Sequence, residues 1–217
     1  MGQLMDIGII DYGSGNIRSV AKSFERAVIE LGVTAKIHII KNAEELRKMD
    51  RIVLPGVGSF ADCMHSLKSI EDLFETLNEV ILKKSKPFLG ICLGMQLLAD
   101  LSHEYGKHKG LGWIGGKVIP IDRTLPSVKI PHMGWNSVKI IKQHAIFNNI
   151  TNEEDFYFVH SYKFIPETKE NICAETFYHQ DISAVVIKNN IIGTQFHPEK
   201  SQNLGIQFIK NFIEWTP

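Results

Sequence analysis

The chain has little cysteine, no net charge and no long apolar run, and each shortage closes off a class of protein. Its three cysteines, Cys63, Cys92 and Cys173, are too few and too scattered for a disulfide framework or a zinc site. A reducing, cytoplasmic setting is the expectation. The 24 basic residues balance 24 acidic ones, and no block of like charge or strongly basic face stands out. Neither nucleic acid nor a membrane surface is therefore an expected partner; Lys83-Lys84 reads as a solvated helix end. No window approaches the ~18 apolar residues of a membrane span. The opening MGQLMDIGIIDYG lacks the basic flank and long apolar core of a signal peptide, and Asp6 interrupts it early.

What is present is ordinary globular composition. Of 217 residues, 44% are hydrophobic and 22% charged, enough for a sizeable core. No linker, low-complexity tract or internal repeat is visible, so residues 1–217 are expected to form a single domain. Ile7 to Ile10 reads as a strand ending in the loop Asp11-Tyr12-Gly13. Ile17, Val20, Ala21, Phe24, Val28 and Leu31 recur at helical spacing and stop at Gly32, which predicts an amphipathic helix. Val33–Ile40 reads as a strand, Ala43–Met49 as a short helix, and Arg51–Leu54 as a strand stopped by Pro55-Gly56. Ile70, Leu73, Phe74, Leu77 and Ile81 mark another helix; Phe88–Ile91 is an apolar strand followed by a helix from Leu93 to about Leu101. Such β-α-β order predicts a largely parallel central sheet flanked by helices.

The second half is richer in extended signals. Gly112–Pro120, Asn136–Ile141 and Asp155–Phe164 all look like strands, and Ile182–Lys188 and Ile191–Phe196 flank Asn189-Asn190 as a hairpin. A helix from about Leu204 to Trp215 closes the chain. The fold class expected is α/β with an antiparallel β extension.

Gly90-Ile91-Cys92-Leu93-Gly94 is G-x-C-x-G, the thiol counterpart of the G-x-S-x-G strand-turn-helix elbow. A nucleophile on such a turn sits in a strained conformation, and side chains two positions to either side would clash where the chain doubles back. The following helix would aim its N-terminus at the sulfur, favouring thiolate over thiol. The N–H of Leu93 would be placed to hold a developing oxyanion. Taken alone, the pattern fits a buried cysteine packed near glycines equally well. Cys63, within a helix-like stretch, and Cys173, within a strand-like one, have no elbow and read as structural.

A cysteine nucleophile needs a base, and nine histidines compete. His197 lies at the carboxyl end of a strand signal, the edge where sites gather in α/β sheets. Pro198 stiffens the turn after it, leaving Glu199 to orient the imidazole as in other activated-nucleophile sets. Alone, His-Pro-Glu also fits a surface loop. H-x-E begins a zinc-deaminase signature as well, but no cysteine follows His197, so that metal reading fails. Gly13-Ser14-Gly15 suggests a nucleotide loop, yet position 18 is Arg18 rather than glycine; a dinucleotide site is rejected. No cofactor and no metal is expected.

Together, GICLGMQ at 90–96 and FHPEKS at 196–201 resemble the class I (triad) glutamine amidotransferases. DYGSGN at 11–16, LPGVGSF at 54–60, PHMGWNS at 131–137 and VHSY at 159–162 narrow the resemblance. They are similar to the glutaminase subunits of imidazole glycerol phosphate synthases, and the similarity covers essentially the whole chain.

The resemblance implies that Cys92 attacks the side-chain amide carbon of glutamine while His197, oriented by Glu199, moves the protons. It implies oxyanion donors at the N–H groups of Val57 and Leu93. Glutamine would be recognised by Gly58, Gln96, His160, Ser161 and Tyr162. Gln96 lies one helical turn past Cys92 and can face the same pocket; the register of His160-Ser161-Tyr162 is not fixed by sequence. Asn16 and Trp135 would face a partner, although Trp135 fits a core position as well. That partner is a cyclase subunit with a (β/α)₈ barrel, forming a heterodimer and consuming the ammonia in histidine biosynthesis. Little glutaminase activity is expected before it docks. A paralogous glutaminase serving another amination, such as a surface-sugar pathway, and a non-catalytic binding subunit are the alternatives.

Overall fold

The computed structural model describes residues 4–13, 16–124 and 128–217. Its first half alternates strand and helix as the periodicities require: β1 (Met5–Ile10), α1 (Ile17–Leu31), β2 (Ala35–Ile40), α2 (Ala43–Lys48), β3 (Arg51–Gly56), α3 (Phe60–Ser69), α4 (Leu73–Asn78), β4 (Phe88–Cys92) and α5 (Leu93–Gln96). Short strands β5 (Leu101–Ser102), β6 (His108–Lys109) and β7 (Gly116–Pro120) follow. Then come β8 (His132–Ile140), β9 (Glu154–His160), β10 (Tyr162–Pro166), β11 (Ile172–Phe177), β12 (Asp181–Lys188), β13 (Ile191–Thr194) and α6 (Gln202–Glu214).

Nine strands form one sheet in the order β2-β1-β3-β4-β13-β12-β11-β8-β9. Neighbours from β2 to β13 are parallel, and those from β13 to β9 are antiparallel. Period-two alternation divides the parallel strands between two cores. Ile7, Ile9, Val53, Leu89 and Ile91 pack with Phe24 of α1 and Phe212 of α6. Ile10, Ile52, Leu54 and Phe88 pack on the other face with Leu46 of α2 and Leu67 of α3. Both faces are thus covered, as parallel strands need, and the carboxyl ends of β1, β3, β4 and β13 share one edge. A second, four-stranded sheet, β10-β7-β5-β6, lies beyond it.

Three expected elements take a different form. The run from Ile70 to Ile81 is not one helix. Ile70 is extended and Asp72 adopts a left-handed φ of 56°, a conformation Asp tolerates better than most residues. After α4 the chain continues as a π-helical turn, Glu79–Lys83. The helix expected from Leu93 to Leu101 ends at Gln96, because a distant loop takes the next carbonyls. Leu111 N–H donates to Leu97 O, Trp113 N–H to Leu98 O and Gly112 N–H to Ala99 O. The extended run Asp155–Phe164 is cut at Ser161, β9 pairing with β8 in the large sheet and β10 with β7 in the small one.

Candidate active site

Cys92 ends β4 and is the N-cap of α5, with φ 55° and ψ −108°, a sparsely populated backbone conformation that costs about 1–3 kcal/mol and is kept where surrounding structure enforces it. The two glycines of the elbow are what permit it. A Cβ on Gly90 would lie 2.6 Å from Gly94 O, and one on Gly94 would lie 1.9 Å from Leu54 O in β3. The elbow is therefore wedged against the neighbouring strand β3, which runs through Pro55-Gly56 rather than stopping before them, and lies next to the Val57-Gly58 loop after it. Tyr12, from the loop after β1, donates its hydroxyl to Pro55 O at 2.9 Å. Of the DYGSGN loop, Ser14 and Gly15 lie outside the described residues, while Asn16 is exposed just before α1.

His197 follows β13, and its Nδ1–H donates to Glu199 Oε1 at 2.8 Å. Pro198–Lys200 forms a 3₁₀ turn pinned from two sides. His197 N–H donates to Tyr157 O at 2.9 Å, and Ser201 Oγ–H donates to His197 O at 2.7 Å. Gly205 of α6 completes the packing, since a Cβ there would sit 1.8 Å from Pro198 O. Both side chains of this pair are buried, His197 at 4% and Glu199 at 3% exposure, so the ion pair is shielded from solvent. Burial disfavours the imidazolium, but the Cys92 sulfur and then the Glu199 carboxylate outweigh it, pushing the His197 pKa up to about 10. The sulfur exerts this effect without meeting hydrogen-bond geometry, and Nε2 has no hydrogen-bond partner among the described residues.

These groups open into a cavity of about 490 Å³ whose wall includes Cys92, Leu93, His197, Val57 and Gly58. Leu93 is the first residue of α5, a position whose N–H has no acceptor within the helix. Gly58 has φ +98°, a conformation that suits glycine. Gln96, His160, Ser161 and Tyr162 line the same cavity, so the structure brings together every residue expected around glutamine. Their polar atoms are not equally available. Gln96 Nε2 donates to Tyr162 O and to Gln195 Oε1, each at 2.9 Å, which leaves Oε1 as the group it can offer a ligand. His160 has both ring nitrogens engaged, Nδ1 with Tyr162 O at 2.8 Å and Nε2 with His132 Nδ1 at 2.9 Å.

Trp135 is not a core residue. It is 48% exposed on β8, as are Met133 at 63% and, on β11, Phe177 at 68%. Its indole meets Tyr157 edge-on at 5.9 Å, and the Lys200 ammonium lies 5.7 Å from the centre of the same Tyr157 ring. Cys63 and Cys173 are buried. Cys63 donates to Val57 O at 3.3 Å and Cys173 to Lys142 O at 3.5 Å, while burial pushes the Cys173 thiol up to about 11. Neither thiol sits on an elbow.

Sequence reasoning missed three residues of the site. Glu104 and Arg123 line the cavity; Glu104 Oε2 accepts from Phe60 N–H at 2.6 Å, and burial raises its pKa. Both lie in loops with no local signature. Gln195 Nε2 points at Cys92 Sγ, 3.7 Å away. A signal for it existed, since residues 195 and 197 are two apart on an extended segment and share a face.

Residues 9–215 match the family described as glutamine amidotransferase class-I. Among curated proteins, the imidazole glycerol phosphate synthase subunit HisH of Rhodospirillum rubrum is 49% identical over 98% of this chain and 100% of its own length. The subunit of the same name from Pelagibacter ubique is 47% identical over 96% of this chain and 99% of its own. Among solved structures, a glutamine amidotransferase from Thermotoga maritima superposes with a TM-score of 0.64 at 19% identity, covering 91% of this chain and 77% of that one. Another protein described as a glutamine amidotransferase gives 0.70 at 16% identity, covering 96% and 97%; these two likenesses concern the fold. By sequence, the chain belongs to the class-I glutamine amidotransferases, within the family of the imidazole glycerol phosphate synthase subunit HisH.

Proposed function

We propose that the chain is the glutaminase subunit of an imidazole glycerol phosphate synthase, hydrolysing glutamine to glutamate and ammonia. The observation that supports it most is the convergence of a strained cysteine elbow with the buried His197–Glu199 pair on one cavity wall. The Cys92 thiolate attacks the side-chain amide carbon, and the N–H groups of Val57 and Leu93 hold the oxyanion. The His197 imidazolium gives its proton to the departing ammonia as the thioester forms. Neutral His197 then takes a proton from water, whose oxygen attacks the thioester carbon; collapse releases glutamate and restores the thiolate–imidazolium pair. Glu199 stabilises the imidazolium and fixes its ring.

A zwitterionic amino acid needs one acid and one base beside its polar head. Glu104 supplies the carboxylate for the α-ammonium, with Arg123 the cation nearest in kind to the α-carboxylate. Gly58 and Ser161 bound the rest, and Gln96 Oε1 accepts from the substrate.

The relatives are named as subunits of a synthase, and ammonia needs a consumer. The proposed partner is the cyclase subunit, a (β/α)₈ barrel docking as a heterodimer over Asn16, Trp135 and the exposed apolar side chains near it. It makes imidazole glycerol phosphate and aminoimidazole carboxamide ribonucleotide in histidine biosynthesis, and docking completes the oxyanion hole at Val57. Incubation with a diazoketone analogue of glutamine tests the nucleophile. One adduct on Cys92, identified by peptide mass, is expected; an unmodified Cys92 in the partner-bound chain would overturn the proposal in favour of a non-catalytic subunit.

A further inference from the structure

Two hydrogen-bonded arms meet at the Tyr162 carbonyl, one from the exposed β8–β11 face and one to the Cys92 sulfur, and each group in them has only one consistent role. Asn136 Oδ1 accepts from Ser137 N–H at 2.9 Å, which fixes its amide. Its Nδ2 therefore donates, to Phe177 O at 3.0 Å and to His132 Nε2 at 3.1 Å. With Nε2 accepting, His132 carries its proton on Nδ1 and donates to His160 Nε2 at 2.9 Å. His160 then carries its own on Nδ1 and donates to Tyr162 O at 2.8 Å. That carbonyl also receives one Gln96 Nε2–H, and the other Gln96 hydrogen goes to Gln195 Oε1. Only the amide nitrogen of Gln195 remains for Cys92 Sγ, at 3.7 Å. Amide and tautomer choices of this kind follow from the network as a whole.

We infer that Gln195 donates a hydrogen bond that holds the Cys92 sulfur as thiolate, and that Gln96, anchored on the Tyr162 carbonyl, fixes which end of the Gln195 amide faces it. This rests on Cys92 being the nucleophile, as proposed above. Gln195 is fully buried, so its amide has no water to satisfy it in another orientation, and a donor aimed at an anion is stronger than one between neutral groups. His132 is held flat between Phe158 and Tyr178, with centroids at 4.8 and 4.0 Å. Burial keeps both imidazoles neutral, pulling His132 down to about 4 and His160 to about 3; a second proton on either would set two donors face to face. Gln195 touches the reacting atom, whereas Gln96 is a positioning residue that acts through it.

The test is alkylation of Cys92 by iodoacetamide in the full-length chain, followed by peptide mass between pH 6 and 10, with no substrate present. Gln195→Met removes the donor at similar length. Its rate at pH 7 is expected to fall about tenfold, the scale of one charge-assisted hydrogen bond, and the deficit should close as pH rises and both proteins become thiolate. Gln96→Met releases the Gln195 amide to turn; a smaller deficit, about threefold, with the same pH dependence is expected. It also carries the test if Gln195→Met does not fold. Wild-type rates in both variants, or a deficit constant with pH, would overturn the inference. A wild-type Cys92 that resists both iodoacetamide and the glutamine analogue would instead contradict the nucleophile itself.

Discussion

Gly94 of the elbow lies so close to Leu54 of the adjacent strand that a Cβ would stand 1.9 Å from the Leu54 carbonyl oxygen. That contact joins the strand bearing Cys92 to the strand bearing the Val57 loop, and a side chain there must push the two apart. Gly94→Ala is expected to cost at least the 1–3 kcal/mol typical of overpacking. It should also depress glutaminase turnover beyond what the lost stability explains, because Cys92 and Val57 would separate. Urea unfolding and turnover of the folded fraction measure the two effects.

Glu199→Gln keeps a hydrogen-bond acceptor for His197 Nδ1 but removes the charge that helps raise the imidazole. Turnover should fall by about 10²–10⁴, the range for misplacing or mistuning a general acid–base. The KM for glutamine should change little, since Glu199 is not in the cavity wall.

Acid should destabilise the protein through its two buried neutral histidines. His132 and His160 titrate near 4 and 3 when folded but near 6.5 when unfolded. Between those values the unfolded chain binds more protons, so stability is present above pH 6.5 and is lost as pH falls towards 4. The slope is about 1.4 kcal/mol per pH unit for each histidine. His197 works in the opposite sense: its folded value is raised to about 10, so its contribution is complete below pH 6.5 and declines through pH 10. Urea midpoints at pH 7 and 5 check the acid arm, and His132→Phe should remove about half of the loss.

Trp135→Ala should leave the thermal midpoint nearly unchanged, since the indole is about half exposed. As an interface anchor the indole should carry binding energy, so its loss should weaken binding of the cyclase subunit by about 2 kcal/mol, roughly thirtyfold in Kd. Calorimetric titration of the two subunits measures this.

The parts of this molecule legible in its sequence are those fixed by neighbours a few residues apart. The helix stop at Gly32, which takes φ 66°, and the elbow around Cys92 are of that kind; steric needs of the local turn dictate the glycines. The end of α5 at Gln96 was not legible, because the carbonyls of Leu97, Leu98 and Ala99 are claimed by N–H groups more than ten residues on. Alternation from Asp155 to Phe164 likewise gave no sign that the chain changes sheets at Ser161, since both halves keep the same period. At the site, Cys92, His197 and Glu199 were visible as motifs. Glu104 was not, because it reaches the cavity from a loop without a pattern of its own. The neutral pairing of His132 with His160 depends on β8 and β9 aligning those two residues across the sheet, a register that sequence spacing does not set.

Whether Cys92 releases the ammonia that the partner consumes is read by comparing two nitrogen donors. The complex with the cyclase subunit is assayed for imidazole glycerol phosphate with glutamine and, separately, with ammonium salt as nitrogen donor, using the wild type and Cys92→Ala. Cys92→Ala is expected to abolish product formation from glutamine and to leave formation from ammonium intact. Glutamine-dependent product at the wild-type rate in Cys92→Ala would contradict this role for Cys92.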